Sequence, residues 1–169
     1  MPRLDALNVD WLEEPFAAHD YRSYREAKRY GLVPLAAGEN HYTRFEFNRL
    51  IEDGSITILQ PDLAKSGGFT ECLRIAALGS AYKLPIHPHT AMSGLSMAAS
   101  VHFLAAIDNG GYFEADAGKT NSLRDELVET PFTIQPDGHV LPLDKPGLGV
   151  EVNEDFLKRH PAIVGPSYI

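Results

Sequence analysis

The chain has almost no cysteine, a deficit of basic residues and no long apolar run, and each shortage removes a class of protein. A single cysteine, Cys72, stands among 169 residues, so no internal disulfide can form and the composition suits a reducing cytoplasm. Cys72 itself reads as a small buried hydrophobe. Lysine and arginine number 15 against 23 acidic residues, giving a formal net charge of -8. That balance argues against nucleic acid and against an anionic membrane surface as partners. No stretch approaches the about 18 apolar residues of a membrane-spanning helix. The opening, Met1-Pro2-Arg3-Leu4-Asp5-Ala6, carries no apolar export signal. The expectation is a soluble cytoplasmic protein.

Length is the remaining shortage. A chain of 169 residues can bury a real core, but a complete (β/α)8 barrel takes typically about 250 residues and at least about 200. The comparison matters because of a spacing. Glu13, Glu39, Asp62, His89 and Glu114 each follow a short apolar run, at intervals of 26, 23, 27 and 25 residues. One functional group per strand-plus-helix length is how a (β/α) barrel gathers its chemistry, since the C-terminal ends of its strands open onto one face.

The intervening sequence supports that reading. Apolar runs at 7–12, 32–37, 56–59, 84–87 and 112–114 are expected strands, closed by Glu13-Glu14-Pro15, Gly38-Glu39-Asn40, Pro61-Asp62, Pro88-His89 and Glu114. Helices are expected over 20–30, with Asp20 as cap and Gly31 as stop, and over 44–52, ended by Asp53-Gly54. Two more are expected over 71–83, capped by Thr70 with Leu73, Ala76, Ala77, Ser80 and Ala81 on its packing face, and over 92–107, with Leu95, Ala98, Ala99, Phe103 and Leu104 inward. Alternating strands and helices of this length imply a parallel α/β sheet. Past residue 125 the rhythm changes to two short strands about an Asp137-Gly138 turn and a short helix over 153–159.

At the expected strand ends, Glu13 and Glu39 are neighbours able to share a hard cation such as Mg²⁺ through carboxylate oxygens. Asp62 beside His89 would fix the imidazole tautomer and raise its basicity, giving a general base. His87 and His89 share a strand face, so spacing alone leaves either as the reactive one. Glu114, if protonated, can hydrogen-bond a substrate carboxylate. Lys65, three residues after Asp62, either reaches the same mouth or neutralises Asp62, the second being the favoured reading, and His19, His41, His102, His139 and His160 read as structural or exposed.

The ordered set Trp-Leu-Glu-Glu-Pro, Gly-Glu-Asn, Gln-Pro-Asp-Leu-Ala-Lys-Ser-Gly-Gly and His-Pro-His-Thr resembles the enolase superfamily, within it the mandelate racemase subgroup, over roughly residues 8 to 150. The resemblance implies that Glu13 and Glu39 are Mg²⁺ ligands. It implies that Asp62 and His89 form a dyad whose histidine moves the α-proton of a small carboxylate substrate, and that Glu114 bonds that carboxylate as an enediolate forms. Asp62 points to this subgroup because the muconate-lactonizing branch carries a lysine there. Family members also have an α+β capping domain, a Lys-x-Lys strand and a first aspartate ligand, and none of these precedes Leu7.

The expected architecture is therefore the C-terminal portion, about five βα strands, of a TIM-type (β/α)7β barrel. Residues 1–125 would hold barrel strands four to eight. Residues 126–169 would form a segment that packs on the absent cap. The expected activity of the complete enzyme is Mg²⁺-dependent α-proton abstraction, as an acid-sugar dehydratase or alternatively a 2-hydroxy-acid racemase or epimerase. The chain alone is expected to be inactive and, with open edges at 7–12 and 112–114, to self-associate. The rival readings are a non-catalytic half-barrel and a metal-dependent aldolase or hydrolase with His89 as a ligand.

Overall fold

A computed structural model describes residues 2–116 and 118–165, so the last four residues of the expected C-terminal segment lie outside it. After a short helix α1 (Pro2–Asp5), three parallel strands alternate with helices: β1 (Leu12–Glu13), α2 (Tyr21–Lys28), β2 (Leu35–Ala37), α3 (Thr43–Asp53) and β3 (Ile58–Leu59). Helix α4 (Gly68–Ala81) and helix α5 (Gly94–Ala106) follow. The sheet order is β1-β2-β3, with Leu12 opposite Leu35 and Ala36 opposite Ile58. Single parallel bridges from Leu59 to Ile86 and from Ile86 to Gly110 continue it through a fourth and a fifth segment.

The strands are shorter than their apolar runs because proline and turn chemistry cut them. Pro34 has no N–H, and β2 begins one residue later. Pro85 and Pro88 bracket the fourth segment and reduce it to the bridge at Ile86. The expected strand over 7–12 is largely absent. Asn8 adopts a left-handed φ of 55°, its N–H bonds Asp5 O, and Leu7 is 74% exposed, leaving only Leu12 and Glu13 in the sheet. The fifth segment pairs at Gly110 rather than over 112–114.

Helix ends follow the expected signals, with one exception. The Asp20 carboxylate accepts the Ser23 N–H at 3.1 Å, and Gly54 closes α3 in the left-handed region at φ 70°. Helix α4, however, starts at Gly68. The pair Gly67-Gly68, at φ 117° and 75°, turns the chain straight into the helix, so Thr70 lies inside it and not at its cap. The buried face of α4 is correspondingly Cys72, Ile75, Ala76 and Gly79, and Leu73 is 42% exposed. In α5 the buried apolar residues are Met97, Ala98, Val101 and Phe103, with Leu95, Ala99 and Leu104 only half-buried.

Outside the sheet, Tyr24, Phe47, Leu50, Leu59, Ile75 and Ile86 form one core between strands and helices. Each such side chain contributes about 1.5–3 kcal/mol on burial. On the inner face, the Trp11 ring lies 5.6 Å from Tyr112 and 5.0 Å from His87. In a flat sheet the first and fifth segments would stand about 19 Å apart. The contact shows that the sheet curls as a barrel wall does, with these aromatics meeting across its interior.

Helix α6 (Ser122–Asp125), a hairpin of β4 (Thr133–Ile134) and β5 (Val140–Leu141), and helix α7 (Glu154–Arg159) complete the chain. The hairpin packs beside α5, and Leu127, Val128 and Phe156 make a second small core. No described helix is long and apolar enough to cross a membrane.

Candidate active site

The five spaced residues converge at the C-terminal ends of the parallel segments. At the end of β1 the chain places two consecutive glutamates in different settings, because Glu14 takes a φ of 32°. Glu13 points into the mouth, where its Oε2 accepts the Gln60 Nε2–H at 2.8 Å. Glu14 turns toward the neighbouring loop and accepts the Gly38 N–H at 3.3 Å and the Asn40 Nδ2–H at 2.8 Å. Gly38 is required for that loop. At its φ of 153°, a Cβ would lie 2.6 Å from the Gln60 backbone.

Glu39 follows directly. Its Oε1 accepts from Asn40 Nδ2 at 2.8 Å, and its Oε2 lies 2.7 Å from His89 Nε2 and 3.6 Å from Lys65 Nζ. Lys65 thus reaches the mouth and pairs with Glu39, and its charge also helps to lower the Asp62 pKa. Asp62 is fully buried; its Oδ1 accepts the Ala64 N–H at 2.7 Å and its Oδ2 lies 2.8 Å from His89 Nδ1. The structure therefore sets His89, and not His87, against Asp62.

Both nitrogens of His89 face carboxylate oxygens within hydrogen-bond distance, an arrangement that the imidazolium satisfies by donating from both. Burial pushes the His89 pKa down, but the Asp62 hydrogen bond and the charges of Glu39, Glu114 and Asp62 outweigh it, and the net shift is upward from 6.5. Asp62 answers in the opposite sense. Burial pushes its carboxyl up, and the His89 hydrogen bond, the Ala64 N–H and nearby positive charge bring it below 3.8. Glu114 accepts the Thr90 N–H at 2.9 Å. Burial, helped by Glu13 and Glu39, raises its pKa above 4.5 despite that bond and His89. The Thr90 hydroxyl is in turn fixed by Ser100 at 2.9 Å.

His87 has another role. It sits edge-on to Trp11 and to Tyr112, 5.0 and 5.3 Å away, and its Nδ1 has no hydrogen-bond partner among the described residues. Burial holds its pKa below 6.5, so the folded chain keeps it neutral. An unfolded chain takes up that proton first as the pH drops, so His87 contributes a loss of stability from about pH 6.5 downward. We expect His87→Phe, which keeps the stacking, to lose less stability than the parent between pH 7.5 and 5 in urea titrations; equal losses would contradict this.

Of the remaining histidines, His41 is fully buried, with Nε2 3.3 Å from the Tyr21 hydroxyl, and His102 lies 3.2 Å from Leu148 O. His139 is exposed beside Asp137, and His160 stacks on Phe156. Gln60, Asn40, Glu14 and Thr90 escaped the sequence reading. Their one signal is membership of the motifs that hold Glu13, Glu39, Asp62 and His89.

Among the described residues no group of three or more histidine, cysteine or acidic side chains is arranged to hold a metal ion. Glu13 and Glu39 do supply two hard oxygen donors on adjacent strand ends. Mg²⁺ commonly takes one or two protein carboxylates and fills its shell with water and substrate. The donor chemistry thus fits Mg²⁺ as part of a shell. Crevices of about 650 and 690 Å³ lie away from these five residues, along the hairpin and the C-terminal segment.

A curled parallel α/β wall whose strand ends present paired glutamates, an Asp-His dyad and a further acid defines part of a TIM-barrel enzyme. Residues 1–156 match the family described as enolase C-terminal domain-like, and the chain belongs to the enolase superfamily, in its mandelate racemase branch. It is similar to a D-galactonate dehydratase of Pectobacterium atrosepticum, 36% identical over 151 residues, covering 87% of this chain and 40% of the relative. Among solved structures, an enolase superfamily member from Polaromonas sp. JS666 is 51% identical with a TM-score of 0.91, covering 99% of this chain and 44% of that one. The 3,6-anhydro-D-galactonate cycloisomerase of Zobellia galactanivorans is 32% identical with a TM-score of 0.86, covering 94% and 44%. The chain thus spans about two fifths of the length of these relatives and corresponds to the C-terminal part of their barrel.

Proposed function

We propose that this chain carries the dyad half of an active site that removes the α-proton of a sugar-acid carboxylate and, in a complete barrel, dehydrates it. The observation that carries this is the line Asp62–His89–Glu39, with Nδ1 and Nε2 at 2.8 and 2.7 Å from carboxylates. Asp62 holds the ring and stays ionised, as its lowered pKa requires. His89 presents Nε2 to the mouth. Without its Nε2 proton it is the base that accepts the α-proton, leaving an enediolate. With that proton it is the acid that protonates a departing β-hydroxyl, which leaves as water. The doubly donating arrangement matches the acid form. Glu114, whose pKa burial raises, faces the same mouth and, when protonated, donates to the substrate carboxylate. Glu13 and Glu39, with ligands from elsewhere, would hold Mg²⁺, which would supply a Lewis acid for the charge that builds on the substrate carboxylate.

Dehydration is favoured over racemisation because relatives at 36–37% identity are D-galactonate dehydratases. The galactonate framework recurs in the name of the cycloisomerase, which makes a six-carbon aldonate the first substrate to try. The test joins this chain behind the N-terminal part of the Polaromonas relative and follows α-keto acid formation from aldonates. Keto acid from the joined barrel and none from the chain alone is the expected result. Epimerised substrate without keto acid would replace dehydration by the racemase reading.

The segment 126–165 is proposed to pack on the cap of the complete enzyme. The outer edge of β1 and the exposed Tyr112 are proposed to drive self-association of the isolated chain. Sedimentation should show species heavier than 18.6 kDa that grow with concentration; a monomer at all concentrations would count against it.

A further inference from the structure

Two carboxamides contact the glutamates of the mouth in a way that folding alone does not explain. Gln60 lies at the end of β3, 3% exposed, and reaches past β2 to give its Nε2–H to Glu13 Oε2 at 2.8 Å, a contact 47 residues apart in sequence. Its Oε1 is buried with no partner among the described residues. The amide orientation is dictated by the carboxylate, since the reversed group would set oxygen against oxygen. A buried carboxamide with one end unsatisfied is a net cost to the fold that a leucine of similar size would avoid. What the glutamine supplies is a donor to one oxygen of Glu13, and Oε1 of Glu13 has no hydrogen-bond partner among the described residues.

Asn40 makes the matching contact on the adjacent strand end. Its Nδ2 carries two hydrogens, and it lies 2.8 Å from Glu14 Oε2 and 2.8 Å from Glu39 Oε1. Glu14 is itself tied to Gly38 N–H, so Asn40 is anchored on one side and holds Glu39 from the other. Each mouth glutamate therefore gives one oxygen to a carboxamide; the second oxygen of Glu13 has no protein partner among the described residues, and that of Glu39 lies 2.7 Å from His89 Nε2.

We propose that Gln60 and Asn40 are positioning residues that orient the Glu13 and Glu39 carboxylates for a divalent cation. This rests on the reading of those glutamates as Mg²⁺ ligands. Groups that hold a ligand from behind are typically worth about 10–100-fold in metal affinity. The fold itself loses little with Gln60→Leu, because the orphaned oxygen disappears along with the bond.

The test titrates the 169-residue chain with Mn²⁺ alone, reading affinity from water-proton relaxation, and measures melting of the same samples. Gln60→Leu is expected to bind Mn²⁺ about 10–100-fold more weakly while melting no lower than the parent. Asn40→Leu is expected to weaken binding as well. Gln60→Met serves if the leucine variant does not fold. Folded variants with the parent's Mn²⁺ affinity would overturn the positioning role and leave the metal reading standing. No binding by the parent at millimolar Mn²⁺ would overturn the metal reading, and the positioning role with it.

Discussion

In the joined barrel, His89→Asn should slow exchange of the substrate α-proton with solvent deuterium by about 10²–10⁴-fold, the usual contribution of a positioned acid or base. That range corresponds to about 3–5 kcal/mol in activation free energy. The expectation follows from geometry. His89 is the one described imidazole with a nitrogen at the mouth, and its other nitrogen is anchored 2.8 Å from a fully buried carboxylate. Asparagine keeps a polar group near Asp62 but cannot carry a proton at the Nε2 position. Mg²⁺ binding should survive, because the proposed ligands are Glu13 and Glu39. Loss of metal affinity in this variant would instead make His89 a ligand, and unchanged exchange would remove it from the chemistry.

The second large effect is on folding. Gly38→Ala should destabilise the chain by about 3 kcal/mol or more, at the upper end for an overpacked site. A Cβ at residue 38 would stand 2.6–2.7 Å from the backbone N, C and O of Gln60, and φ there is 153°, a conformation side chains rarely adopt. Backbone cannot swing aside as a flexible side chain can, so β2 and β3 must separate just where Glu39 and Gln60 are placed. Chemical denaturation of the two proteins checks this. A difference under about 1 kcal/mol would mean that the loop relaxes at little cost.

The contrast between these residues shows what the sequence could reveal. Gly38-Glu39, Pro61-Asp62 and Pro88-His89 were legible because a strand end needs a breaker and the functional residue sits next to it. The Asp20 cap and the Gly54 stop were legible for the same local reason. The strands themselves are shorter than their apolar runs suggest. Pro34 and Pro85 delete donors inside apolar runs, and Asn8 bends residues that look extended. Thr70 carries a good capping side chain, but the conformational freedom of Gly67-Gly68 sets the start of α4. The contacts that organise the site were beyond local patterns. Gln60 meets Glu13 across 47 residues, and Lys65 pairs with Glu39 as well as acting on Asp62. Trp11 meets Tyr112 only because the sheet curls.

The account's central claim is that a divided active site is already assembled in this chain. The ¹⁵N resonances of His89, followed across pH in the isolated chain, test it most directly. With the ring held between Asp62 and Glu39, its titration midpoint should lie above 6.5 and fall in Asp62→Asn. A midpoint at or below 6.5 that ignores Asp62→Asn would show that the dyad is not formed here.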